Sequence, residues 1–210
     1  MLRTPDPRPS DTVAPRRRVL LLVVLLVAFR VASWVNQLLT AAIFSLVGAP
    51  GLSIGLVFGG LSSAVSPHWT GAGAVVASLA VIFAAVPLAG LVLGIVASGR
   101  VDTRPLGALA LLLFAMATLA EMLCETLVFA TLGKFNGGIA RHAGVPLPLL
   151  MILGVSAVGA LSPLVVRATE HVMSLHTHEA APGTSSARLL VAFKFTVGVA
   201  VLSTVRLALG

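Results

Sequence analysis

Along residues 19–47 almost every position is apolar, and runs of the same kind return at 72–97, 106–132, 146–166 and 189–209, separated by short polar or glycine-rich stretches. None of these runs alternates with period two, and none keeps a polar face wide enough for a surface helix of a soluble domain. A helix over the first run would be roughly 40 Å long at 1.5 Å per residue, against a hydrocarbon core of about 30 Å. The pattern therefore predicts an all-α protein, a polytopic transmembrane helical bundle of about five helices, with residues 19–210 as one domain. Ahead of it, residues 1–18 carry Pro5, Pro7 and Pro15 among five arginines and read as a disordered basic tail. The first run is too long for the apolar segment of a signal peptide and is expected to stay as an uncleaved anchor.

One stretch breaks the helical pattern. Residues 48–60 are apolar but rich in Gly with one Pro, and Ile54, Leu56 and Phe58 alternate, which suits a short strand or hairpin after the first helix. Non-helical backbone at membrane depth must be covered by protein or line a wet cavity. An exposed loop is the other reading of the same residues.

Composition supports the membrane reading: 58% of residues are hydrophobic, 10% are charged, and the mean hydropathy is +1.05, which leaves too little polar surface for a soluble globule. The net charge of +7 sits mainly in the tail and short loops, where it speaks for topology rather than for nucleic acid. Arg3, Arg8, Arg16, Arg17, Arg18, Arg100, Arg104, Arg167 and Arg188 fall on one side, and Lys134, Arg141 and Arg206 on the other. That bias predicts a cytoplasmic N-terminus. The single cysteine, Cys124, lies in an apolar run and provides neither a disulfide framework nor a cysteine metal site.

Polar residues inside the runs are the candidates for chemistry, because each is costly in hydrocarbon. Asn36 and Thr40 are one turn apart on the first helix with Gln37 beside them. Glu121 and Glu125 share a face of the third, and Arg30 and Lys194 are the cations at depth, able to neutralise them by pairing. An ion or proton pathway is the functional alternative to structural pairing. His171, His176, His178 and Glu179 could meet around a metal, but the stretch from 168 to 187 reads as a flexible polar loop, without the outer hydrogen bonds that hold metal ligands in place. His68 with Trp69 suits a membrane boundary, and His142 has no evident partner in sequence.

The order of these elements resembles the intramembrane site-2 metalloproteases. That family carries a zinc-binding His-Glu-x-x-His in a membrane helix, then a Gly-rich strand or hairpin, then a helix with a Gly-Pro-like motif, and then a helix followed by an Asp-Gly that supplies another ligand. Here Asn36-Gln37-Leu38-Leu39-Thr40 stands in the first place, residues 48–60 in the second, and Val86-Pro87-Leu88-Ala89-Gly90 in the third. Phe135-Asn136-Gly137-Gly138 stands in the last. The resemblance spans about residues 19–142 and implies a site made of Asn36, Gln37, Thr40 and Asn136. Every chemically essential position departs from the family: amides and a hydroxyl are poor zinc ligands, and Gln37 cannot take a proton from water as a carboxylate does. The resemblance thus implies a pseudoprotease with no metal or other cofactor, partnered by the bilayer and by a membrane segment or another membrane protein. A small transporter or channel using Glu121, Glu125, Arg30 and Lys194, and a membrane hydrolase with non-standard residues, are the alternatives. For the hydrolase, no nucleophile and base stand at suitable spacing.

Overall fold

The computed structural model describes residues 13–57, 60–66, 69–99 and 105–176. It is helical almost throughout: α1 (Val13–Leu46), a hairpin of β1 (Ser53–Val57) and β2 (Gly60–Ala64), α2 (Ala72–Ser98), α3 (Pro105–Leu123), a π-helical turn (Cys124–Phe129), α4 (Ala130–Leu132), α5 (Phe135–His142) and α6 (Leu147–His176). Among the described residues four stretches have the length and apolarity to cross a membrane: Val23–Leu46, Ala72–Ser98, Leu106–Leu132 and Leu147–Leu175. The chain is a multi-pass membrane protein. The fifth expected span, 189–209, with Lys194, lies outside the described residues, as do Arg100, Arg104, His68, His178 and Glu179.

Two boundaries differ from the sequence reading. Helix α1 begins at Val13 and takes in Arg16, Arg17 and Arg18, which were expected in the tail. Three successive arginines are good helix formers and extend a helix that the apolar run already nucleates. At the other end α6 continues to His176. Residues 168–176 are therefore helix, not loop, because Ala168 and Val172 face inward and join the core, prolonging an apolar stripe that the polar residues between them conceal.

The core lies between α2, α3 and α6: Ile82, Ala89, Leu93 and Val96 meet Leu112, Ala115, Met116, Leu119 and Met122, closed by Ala168 and Val172. Helix α1 joins through small residues, with Ala32 packed on Ala117 and Ala120. The span Leu106–Leu132 is 56% buried against 22% for Val23–Leu46, so the third span, rather than the first, is the centre of the bundle. Pro87 leaves α2 helical; it removes only the N–H that would bond the carbonyl four residues earlier.

The hairpin forms where a strand was expected, in antiparallel register from Ser53 opposite Ala64 to Val57 opposite Gly60. It sits at the end of α1. Leu52 and Val65 at its base pack with Phe44, Ala77, Val81, Trp69 and Ile139, and Trp69 meets Phe44 edge-on at 5.2 Å. On α1 its base packs at Phe44, one turn beyond Thr40. Ile54 is 58% exposed.

Candidate functional site

The third span changes its winding where the sequence places its carboxylates. Between Cys124 and Phe129 the helix widens to a π turn, and the N–H of Ala130 reaches back five residues to the carbonyl of Glu125. The extra residue rotates the remainder of the span by about 100° relative to a continuous α-helix. Soon afterwards Gly133, left-handed at φ 66°, ends α4, Lys134 is extended, and Phe135 takes φ 52°, so the chain reverses and α5 comes back alongside the π turn.

That reversal brings α5 onto Glu125. The Asn136 side-chain amide donates to Glu125 Oε1 at 3.1 Å, and the backbone N–H of Gly137 donates to Oε2 at 3.0 Å. The carboxylate thus caps the start of a helix from across the fold, satisfying an N–H that an eight-residue helix could not satisfy within itself. Glycine is required at 137, since a Cβ there would overlap the Glu125 carbonyl oxygen, and at 138, where it would overlap the Gly133 carbonyl. On the far side Gly154 of α6 leaves room for the Thr126 side chain, whose hydroxyl donates to Met122 O at 3.1 Å.

The other side of Glu125 faces a narrow cleft between α1, α2 and α3. Asn36, Val35 and Leu39 line it from α1, Ile82, Ala85 and Leu88 from α2, and Thr118 and Glu121 from α3, with Glu125 at the π turn. It has room for water rather than for a substrate. Glu121 and Glu125 are 8% and 6% exposed, so both carboxylates face protein, as their cost in lipid demands.

Asn36 and Asn136 are therefore both associated with Glu125, one lining the same cleft and one hydrogen-bonded to the carboxylate. Thr40 is buried but turned away, its hydroxyl donating to Asn36 O at 2.8 Å, and Gln37 is half-buried without lining the cleft. Arg30 is half-buried on α1 and does not line the cleft either. Among the described residues the hydrogen-bond partners of Glu125 are an amide and a backbone N–H; Lys194, one of the two cations expected near the carboxylates, lies outside them. His142 also has a partner, its Nδ1 lying 2.7 Å from Gly138 O. His171 packs against Gly99 at the end of α2, and no group of three potential metal-binding side chains exists among the described residues.

Thr118 and the π turn were not singled out in the sequence, and Gly137 stood there only as part of the motif around Asn136. Gly133 followed by Gly137-Gly138 was the available signal: a helix-ending glycine, then two residues without side chains where a returning helix needs close approach. No family model, curated protein or solved structure matches the chain.

Proposed function

We propose that this protein is a site-2-protease-like membrane scaffold without peptidase chemistry, which holds a membrane segment or partner protein beside the cleft rather than cutting it. The observation that carries the reading is that Asn36 and Asn136, 100 residues apart in sequence, are both associated with one buried carboxylate, Asn36 by lining its cleft and Asn136 by a hydrogen bond. These are the positions that the resemblance assigns to the first and last metal ligands. Their amides hydrogen-bond but bind zinc poorly.

Restoring the ligands tests this. Wild-type protein should contain no stoichiometric zinc, whereas the combined variant Asn36→His, Gln37→Glu, Thr40→His and Asn136→Asp should take up zinc in stoichiometric amount by elemental analysis. Stoichiometric zinc in the wild type would overturn the pseudoprotease reading, and a folded, zinc-free restored variant would overturn the resemblance. For the partner, a photo-crosslinking residue at the partly exposed Val35, on the cleft wall, should capture a membrane segment in native membranes. The same residue at Leu91, 64% exposed on α2, should not.

A second reading is favoured by one observation, the burial of Glu121 and Glu125 side by side in the cleft. Paired carboxylates in a span commonly mark cation or proton pathways. Reconstituted vesicles would show a cation or proton flux that Glu121→Gln abolishes; absence of flux removes this reading.

A further inference from the structure

Four spans in alternation place the end of α1, the start of α2, the end of α4 and the start of α6 at one face of the bundle. The packing agrees: Phe44, Ala77 and Ile139 share one cluster there, and Val75, Ala130, Ala140 and Leu150 share another. The sequence has no Asp or Glu between Asp11 and Asp102, nor between Glu125 and Glu170. Among the described residues this face therefore has no acidic residue except the buried Glu125.

Its cations are gathered at the chain reversal. Lys134 stands two residues beyond the last residue of the span, at the level where hydrocarbon gives way to headgroups. Arg141 is exposed, and its Nη1 donates to Ala130 O at 3.2 Å and Thr131 O at 2.8 Å, which anchors the guanidinium at the end of α4. A guanidinium has five N–H donors. Both on Nη1 are committed to these carbonyls, and those on Nη2 and Nε have no hydrogen-bond partner among the described residues. Apolar side chains flank the cations: Leu132 is 57% and Phe135 53% exposed, with Phe135 held by its ring contact to Phe129 at 4.7 Å.

We propose that Lys134 and Arg141 bind the phosphate of an anionic phospholipid, with Leu132 and Phe135 against its acyl chains. A guanidinium fixed at the end of α4 and an exposed ammonium at the start of the adjoining α5 suit a phosphate diester, and among the described residues no exposed acidic side chain at this face competes for them. An anionic headgroup is favoured over a zwitterionic one, whose own amine would meet the same cations. The bound lipid would brace the turn that seats Asn136 and Gly137 on Glu125. This site is independent of the scaffold reading above.

Native mass spectrometry of protein released from mixed phosphatidylglycerol and phosphatidylcholine micelles reads the proposal directly. Wild type should retain phosphatidylglycerol preferentially, and Lys134→Gln should weaken that retention about fivefold, the effect of one basic residue near an anionic surface. Arg141→Gln should weaken it at least as much, and Arg167→Gln, at the opposite end of the bundle, should leave it unchanged. Equal retention of the two lipids by wild type would overturn the proposal. So would undiminished phosphatidylglycerol retention by Lys134→Gln, a variant that leaves the Arg141 and Glu125 hydrogen bonds in place.

Discussion

Replacing Gly137 by alanine tests whether the seating of α5 on the π turn holds the site together. The added Cβ would overlap the carbonyl oxygen of Glu125 and come within 2.8 Å of the Ala130 backbone nitrogen, so neither a rotamer change nor a side-chain shift can relieve it. Helix α5 must lift, and lifting it breaks the bonds from Asn136 and Gly137 to Glu125. Each hydrogen bond to a charged group contributes about 1.5–3 kcal/mol, and leaving the buried carboxylate without these donors adds to the loss. Forced overpacking costs about 1–3 kcal/mol, but lifting α5 relieves it at the expense of the bonds, so the two losses do not add fully. A net destabilisation of about 3–5 kcal/mol is expected from these terms. The control is Gly159→Ala in α6, where an added Cβ meets nothing within 4 Å; it should be neutral or stabilise by up to about 1 kcal/mol. Thermal unfolding of both variants in detergent, tracked by the helical circular dichroism signal, gives the comparison. A Gly137→Ala variant that unfolds with the wild type would refute the placement of α5 on Glu125.

The same geometry makes three further outcomes testable. Glu125→Gln should cost about 1 kcal/mol or less, because the Asn136 amide can flip to accept from the new amide while Gly137 still donates to its oxygen; Glu125→Ala should lose about 3–5 kcal/mol, and equal losses in the two variants, read as unfolding temperatures, would contradict this. Gly154→Ala should destabilise by about 1–3 kcal/mol through its overlap with Thr126, and should cost less in a Thr126→Ala background, where the overlapping hydroxyl and methyl are gone; equal losses in the two backgrounds would contradict the contact. With Cys124 replaced by alanine, a cysteine at Ser98 should react with an impermeant maleimide only from the cytoplasmic side and one at Ser53 only from the other, both positions being exposed. Reversed labelling would overturn the orientation, and labelling of both from one side would overturn the crossing between them.

The spans were legible because the bilayer allows little else: an apolar run of spanning length must satisfy its backbone internally, so hydropathy alone gives helices at 72–98 and 106–132 almost to the residue. The strand after the first helix was legible from Gly and alternation, and the inward direction of Glu121 and Glu125 came from the cost of charge in lipid. What the sequence could not provide was the partner. Composition balanced the two carboxylates against Arg30 and Lys194, the latter outside the described residues, and gave no hint of the amide and backbone N–H that Glu125 accepts from eleven and twelve residues further on. That pairing depends on a π turn, a left-handed Gly133 and a close approach at Gly137, and each is a three-dimensional fit rather than a preference of any residue type. For the same reason, hydropathy did not distinguish the first helix from the third as the centre of the described bundle, whereas packing gives that place to the third. Both runs are apolar enough to span, and only the neighbours on each face decide which one is enclosed.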